Sequence, residues 1–271
     1  MANPTIPLDS LILVTAANGL VASHITDQLL VVGYRVRGTI RNKTKNAWMI
    51  SLFNDRYGSD RFELVEIPDA SVPGVWDGVV KGVAVIAHVL GTIDVMTPNG
   101  EKAAEEELPW HLALLNAAQN EPTVKSFIYT SSAWAAWAPD ASKKITLTDD
   151  ASPEEKGLFA QYMALKAILE QKVWEWVNRE KPYFTFNTIL LDTVIGDTLQ
   201  PKELGIPSTA AMVKWAVDGI NLPILNGFQP QWYVNTRDAA LLYVAAFTVP
   251  GVDRERLFAF GDRFSWSVPC F

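Results

Sequence analysis

Cysteine is all but missing from this chain. Cys270 is the one copy, next to the last residue, so no disulfide framework holds the fold and a reducing compartment is the simpler expectation. Long apolar runs are missing too: none approaches the roughly 20 residues that a membrane span requires. Met1 to Ser10 has neither a basic start nor a long apolar stretch, so no signal peptide is expected and the cytoplasm is the default location. Basic clusters are scarce. The 23 Lys and Arg against 30 Asp and Glu leave a formal net charge of −7, whereas a nucleic-acid binder carries a basic face. The three histidines, His24, His88 and His111, lie far apart with no metal-ligand spacing, so no metal site is expected and each reads as structural.

What is present is ample apolar material. The 271 residues are 49% hydrophobic and 20% charged, enough to bury the core of one large α/β domain or of a large domain with a small companion. Short apolar runs at Leu11–Thr15, Tyr34–Ile40, Phe62–Ile67, Val83–Val89, Ser126–Thr130 and Thr185–Leu191 read as strands. Helical spacing of Val21, Ile25 and Leu29, ended by Gly33, places a helix after the first strand. A second helix spans about Ala103 to Asn120, with a break expected near Pro109. The capping-box pattern Ser152-Pro-Glu-Glu155 introduces a long helix running to about Lys181. Alternating strands and helices imply a Rossmann-type, doubly wound parallel sheet over residues 1–191. Residues 192–271, punctuated by Pro201, Gly205, Pro207, Pro223 and Pro230, read as a smaller C-terminal substrate lobe. Within it, Trp232–Asn235, Asp238–Phe247 and Arg256–Phe260 are candidates to pack back on the sheet. Ten tryptophans are consistent with a roomy aromatic pocket and equally with core filling.

Candidate chemistry sits at the strand ends. The first strand runs into Val14-Thr-Ala-Ala-Asn-Gly19-Leu-Val-Ala22, with small residues at the three spaced positions of a dinucleotide-binding turn. Asn18, Gly19, Leu20 and Val21 would then meet the pyrophosphate. Ala16 stands where the first glycine is usual, and if that position needs positive φ an alanine costs about 1–2 kcal/mol. The second strand continues as Arg37-Gly-Thr-Ile-Arg41-Asn-Lys43-Thr-Lys45 with no acid nearby, which favours a 2′-phosphate and hence NADP over NAD. Asp69 and Ala70, after the third strand, are placed for the adenine edge. In the long helix, Tyr162-Met-Ala-Leu-Lys166 puts tyrosine and lysine on one face. The ammonium is expected to draw the phenol toward neutrality, and the tyrosine to protonate a carbonyl as hydride arrives. The fifth strand ends in Thr130-Ser131-Ser132, whose hydroxyls stand at the crevice mouth; for Ser131 a turn-capping role is preferred.

Together these segments resemble an extended short-chain dehydrogenase/reductase. The chain is similar to the dihydroflavonol reductase and cinnamoyl-CoA reductase group and to fungal NADPH-dependent aldehyde reductases, over Val14–His24, Gly33–Arg41, Val124–Ser132, Tyr162–Lys166, Lys181–Leu190 and Tyr233–Ala239. The resemblance implies Ser132, Tyr162 and Lys166 as the catalytic set, with Lys166 also bonding the nicotinamide ribose. It implies that Arg37, helped by Lys43 or Lys45, selects NADP, and that Thr193 and Trp232 come from segments facing the crevice; Trp134 and Trp137, which follow Ser132, are candidate walls of the substrate pocket and equally candidates for core packing. Departures from the family pattern are Ala16, Leu90-Gly-Thr92, Pro109-Trp-His111, Leu191-Asp192 and an end at Phe271 that leaves part of the substrate lobe out. The reading is an NADPH-dependent reduction of a bulky or aromatic aldehyde or ketone by a monomer or homodimer. A rival reading keeps the pocket for a non-redox isomerase, lyase or cyclase with Tyr162 as acid/base, and another makes the chain a nucleotide sensor.

Overall fold

The computed structural model describes residues 6–95, 97–136, 159–207, 209–226, 228 and 230–266. The chain opens with β1 (Leu11–Val14), α1 (Leu20–Val32), β2 (Arg35–Ile40), α2 (Trp48–Tyr57), β3 (Phe62–Glu66) and β4 (Val83–His88). It continues with α3 (Gly100–Gln119), β5 (Ser126–Ser132), α4 (Ala160–Glu180), β6 (Thr185–Leu191) and β7 (Thr193–Ile195). Three short helices follow, α5 (Pro201–Leu204), α6 (Thr209–Asp218) and α7 (Leu222–Asn226). The last elements are β8 (Gln231–Asn235), α8 (Thr236–Thr248), β9 (Arg256–Ala259) and β10 (Asp262–Phe264).

Side-chain alternation along β1 shows why the main sheet needs two helical layers. Ile12 and Val14 join one core with Ile25 and Leu29 of α1 and Tyr243 and Phe247 of α8. Leu13 joins another with Leu114 of α3, Val173 and Trp176 of α4, and Phe127 and Phe186 of β5 and β6. A strand buried on both faces belongs to a parallel sheet whose crossovers are helices. The strand order is β3-β2-β1-β4-β5-β6-β9, with every pairing parallel. The order reverses direction between β1 and β4, which opens a crevice at the carboxyl ends of these strands. Gly33 ends α1 at φ 110°, a left-handed position that glycine takes without Cβ strain.

The segment after residue 191 divides. β7, β8 and β10 form a three-stranded sheet in the order β10-β8-β7, next to α5 to α7. Arg256–Ala259 instead becomes the edge strand of the main sheet, and α8 packs beside α1. One expectation changes. α3 runs unbroken through Pro109; proline removes one backbone donor, but burial of the helix on both sides of that residue, at Ala104, Glu107, His111 and Leu114, holds it together. The helix carrying Tyr162 is described from Ala160 onward, and the Ser152–Glu155 capping pattern and Trp137 lie outside the described residues.

Candidate active site

Ala16 adopts φ 52°, the left-handed conformation the dinucleotide turn requires, and so carries the strain that a glycine would relieve. The turn is held from β2, with Ala17 N donating to Thr39 O at 2.9 Å and Ala16 N to Thr39 Oγ1 at 3.3 Å. Gly19 then starts α1 with no side-chain cap. The first amides of α1 are thereby available to an anion, the arrangement that a pyrophosphate fits. A Cβ on Gly19 would come 3.3 Å from Ala16 O, so the turn is as tight as its small residues allow. Asn18 is tied through Nδ2 to Asn46 Oδ1 at 3.0 Å. Ala16→Gly is expected to stabilise the fold by about 0.5–1 kcal/mol, because the relieved strain exceeds the added chain entropy. A lower thermal midpoint in that variant would contradict it.

Arg37 is a correction. It lies in the middle of β2, opposite Leu13 and Glu63, and not at the strand end. Its Nε donates to Glu63 Oε1 at 2.6 Å, and Nη1 donates to Val79 O and Lys81 O at 2.7 and 3.1 Å. A guanidinium held this way joins β3 to the segment before β4 and does not reach the crevice. The first basic residue past the end of β2 is Arg41, which is exposed. Lys43 follows, its backbone amide donating to Glu66 Oε2 at 2.6 Å. Asp69 receives Ser71 N and Ser71 Oγ at 2.8 and 2.6 Å, and these bonds lower its pKa. It closes a local turn beyond β3 with Ala70 inside.

The crevice continues into a cavity of about 70 Å³ lined by Val95, Ser132, Trp134, Tyr162, Leu191, Asp192, Thr193, Thr209, Met212 and Phe228. Ser132 reaches it from the end of β5, Tyr162 from the first turn of α4, Asp192 from the link between β6 and β7, and Thr193 from the start of β7. Ser132 Oγ accepts from Trp134 N at 3.2 Å, capping the 3-10 turn Ala133–Ala135, while Ser131 Oγ donates to Glu170 Oε2 at 2.8 Å. The capping role expected of Ser131 thus belongs to Ser132. Trp134 meets Tyr162 edge-on at 5.8 Å and lies 5.4 Å from Phe159 and 5.8 Å from Phe228, so one wall is aromatic. Trp232 is not part of the lining. Its indole stacks on Phe260 at 5.3 Å and packs against the apolar cluster that includes Trp134 and Phe228, while its backbone N donates to Asp192 Oδ2 at 3.1 Å.

Asp192 was legible as a departure but not as a site residue. Burial pushes its carboxyl up to about 7, against the lowering effect of bonds from Trp232 N, Thr193 and the Trp134 side chain. Lys166 Nζ lies 5.4 Å from the Tyr162 ring centre and 4.0 Å from Glu107 Oε1. The expected draw of the phenol toward neutrality is reversed: burial, then the Glu107 carboxylate, raise the Tyr162 pKa above its ordinary value. The ammonium has an anionic partner and does not act alone on the phenol. The tyrosine is therefore held protonated, the form a proton donor needs. His88 and His111, distant in sequence, touch at 2.7 Å. Among the described residues no group of His, Cys, Asp and Glu is arranged to hold a metal ion, and no helix is long and apolar enough to cross a membrane.

A seven-stranded parallel sheet with a dinucleotide turn, and a serine and a tyrosine facing one cavity at the carboxyl end of β5, define a nicotinamide-dependent Rossmann enzyme. The model of the NAD dependent epimerase/dehydratase family matches residues 12–252, and the chain belongs to that family, within the extended short-chain dehydrogenases/reductases. It is 38% identical over 274 residues to the ketoreductase adrE of Penicillium rubens, covering 97% of this chain and 80% of that protein. It is 35% identical over 284 residues to the NAD-dependent epimerase/dehydratase terH of Aspergillus terreus, covering 98% and 82%. To aldehyde reductase 2 of Sporidiobolus salmonicolor it is 32% identical over 281 residues, covering 98% and 81%. Among solved structures, Gre2 from Candida albicans in complex with NADPH has a TM-score of 0.78 at 20% identity, covering 96% of this chain and 80% of that one; this likeness concerns the fold.

Proposed function

We propose that this NADP-dependent oxidoreductase reduces an aldehyde or ketone that carries a bulky, largely apolar or aromatic flank. The observation that carries the reading is the convergence of Ser132 and Tyr162 on one aromatic-walled cavity, with Lys166 one turn along α4 from the tyrosine. Bound NADPH would supply hydride to the carbonyl carbon. Tyr162 gives its phenolic proton to the carbonyl oxygen, Ser132 orients that oxygen, and Lys166 holds the nicotinamide ribose and restores the phenol. Trp134, with Phe228 and Met212, shuts water away from the cavity, whose lining Thr193 shares. Asn18, Gly19, Leu20 and Val21 take the pyrophosphate at the start of α1, and Asp69 and Ala70 border the adenine. Arg41 with Lys43 takes the 2′-phosphate, the role the sequence had given to Arg37. The names of the ketoreductase and aldehyde reductase relatives support the carbonyl reading.

The test is a thermal-shift titration with NADPH and NADH, followed by a carbonyl panel read at the NADPH absorbance. Stabilisation by NADPH is expected to reach about 2.7 kcal/mol at a hundred times its dissociation constant. Arg41→Ala is expected to lower NADPH affinity at least about tenfold while sparing NADH, as loss of a charge-assisted bond to phosphate should. Preference for NADH in the unaltered protein, or product formed from a substrate without nucleotide, would overturn the proposal.

A further inference from the structure

Behind Lys166 runs a buried polar chain that carbonyl reduction as described does not use. Thr15 Oγ1 receives two backbone amides, Val89 N at 2.8 Å and Leu90 N at 2.9 Å, so its hydroxyl proton goes to His88 Nδ1 at 3.0 Å. His88 then carries its proton on Nε2 and donates to His111 Nδ1 at 2.7 Å. His111 in turn carries its proton on Nε2 and donates to Glu107 Oε1 at 3.1 Å. Glu107 Oε2 takes Thr92 N at 2.9 Å. Each donor and acceptor is matched in one direction only, and the chain ends on a carboxylate that accepts from two sides. His88, Glu107 and His111 are each at most 1% exposed. The remaining approach to that carboxylate is from Lys166 Nζ at 4.0 Å. Gly91 makes room for the pair, since a Cβ there would lie 3.0 Å from Glu107 Oε1 and 3.5 Å from Lys166 Nζ.

We infer that Glu107 is a positioning residue for catalysis: the fixed counter-ion of Lys166, locked in place as an anion by the one-way chain through His111 and His88 to Thr15. The inference rests on the proposed role of Lys166 and Tyr162 in carbonyl reduction. Its consequence is directional. Glu107 offsets part of the burial that lowers the Lys166 pKa and, with burial, raises that of the phenol, so the ligand-free site is set for donating a proton and not for accepting one. The shifts agree: burial lowers both histidines, which stay neutral, while the His111 bond and the Lys166 charge outweigh burial to hold Glu107 down at about 2.

The other ionisable groups around the pair are Tyr129 on β5, Glu170 on α4, bound to Arg256, and Asp192 across the cavity. All of them persist in the variants. The experiment is an ultraviolet phenolate titration of the ligand-free protein, with Tyr162→Phe subtracted to isolate one tyrosine, alongside the pH profile of turnover. In Glu107→Gln the Tyr162 phenolate is expected about one to three pH units lower than in the unaltered protein, as removal of a neighbouring charge should produce. The alkaline limb of kcat moves down with it, KM for the carbonyl changes little, and Glu107→Asp recovers part of both shifts. His111→Gln, which keeps a donor but cuts the chain behind it, gives a smaller shift in the same direction and serves if Glu107→Gln does not fold. An unmoved phenolate midpoint in folded variants would overturn the inference. Absence of turnover with any carbonyl would overturn the proposed function instead, because the phenolate titration needs neither nucleotide nor substrate.

Discussion

Tyr162→Phe is expected to lower kcat by at least about a hundredfold, the usual loss when a positioned general acid is removed, with NADPH binding preserved. The argument is geometric. The ring packs edge-on against Trp134, and those contacts belong to the ring and not to its hydroxyl, so the variant keeps the cavity wall. Lys166 keeps its partner in Glu107 and so the place in which the proposed mechanism has it meet the ribose. What disappears is the single proton that a fully protonated phenol would give to the carbonyl oxygen. The check is a steady-state comparison at neutral pH together with a nucleotide titration by fluorescence. Turnover within a factor of three of the unaltered protein would remove Tyr162 from the mechanism.

The other large effect is on stability. Glu170, 2% exposed, reaches from α4 into the layer beneath. Its carboxylate accepts from Ser131 Oγ of β5 at 2.8 Å and Thr188 Oγ1 of β6 at 3.2 Å, and from Nε and Nη2 of Arg256 on β9 at 2.9 and 3.1 Å. One side chain thus ties the catalytic helix to three adjacent strands. Breaking a buried ion pair by removing one partner costs about 3–5 kcal/mol. At roughly 2–4 °C per kcal/mol, Glu170→Ala is expected to lower the thermal midpoint by roughly 6–20 °C. A denaturant series gives the free energy directly, and a loss under about 1 kcal/mol would show the cluster to be energetically idle.

The parts of this fold that could be read beforehand are those whose signal is local. Leu11–Val14 declares itself as a doubly buried strand, Gly33 as a helix end, and Tyr162 with Lys166 as one helical face. α2 escaped because its first residue follows Ala47, which offers no capping side chain, and because it buries only Met49 and Phe53. Arg37 was misplaced because Arg37 and Arg41 share a strand's two-residue period, and composition does not say where the strand stops. Trp232 shows a related limit: its place beside Asp192 is real, yet the bond there comes from its backbone amide, which a side-chain reading does not weigh. Glu107 and His111 are four residues apart on α3, a spacing as plain as that of Tyr162 and Lys166. Their meaning depends on His88, which arrives from β4 only once the sheet has formed.

The edge strand has a consequence for the order in which the molecule is made. β9 pairs with β6, and Thr188 receives Arg256 as its partner in register, yet the two are separated in the chain by β7, α5 to α7, β8 and α8. During synthesis β6 leaves the ribosome with its outer hydrogen-bonding edge open, and no later element closes it until residue 256 has emerged. Such an open edge invites pairing with a neighbouring chain, and pairings this distant in sequence are slow to form. Arg256 marks the remedy within the sequence: it carries onto β9 the guanidinium that Glu170 receives, so the last strand of the main sheet to arrive brings the ionic partner of the helix already in place. The small sheet beside it closes later still, because its edge strand β10 follows β9 in the chain.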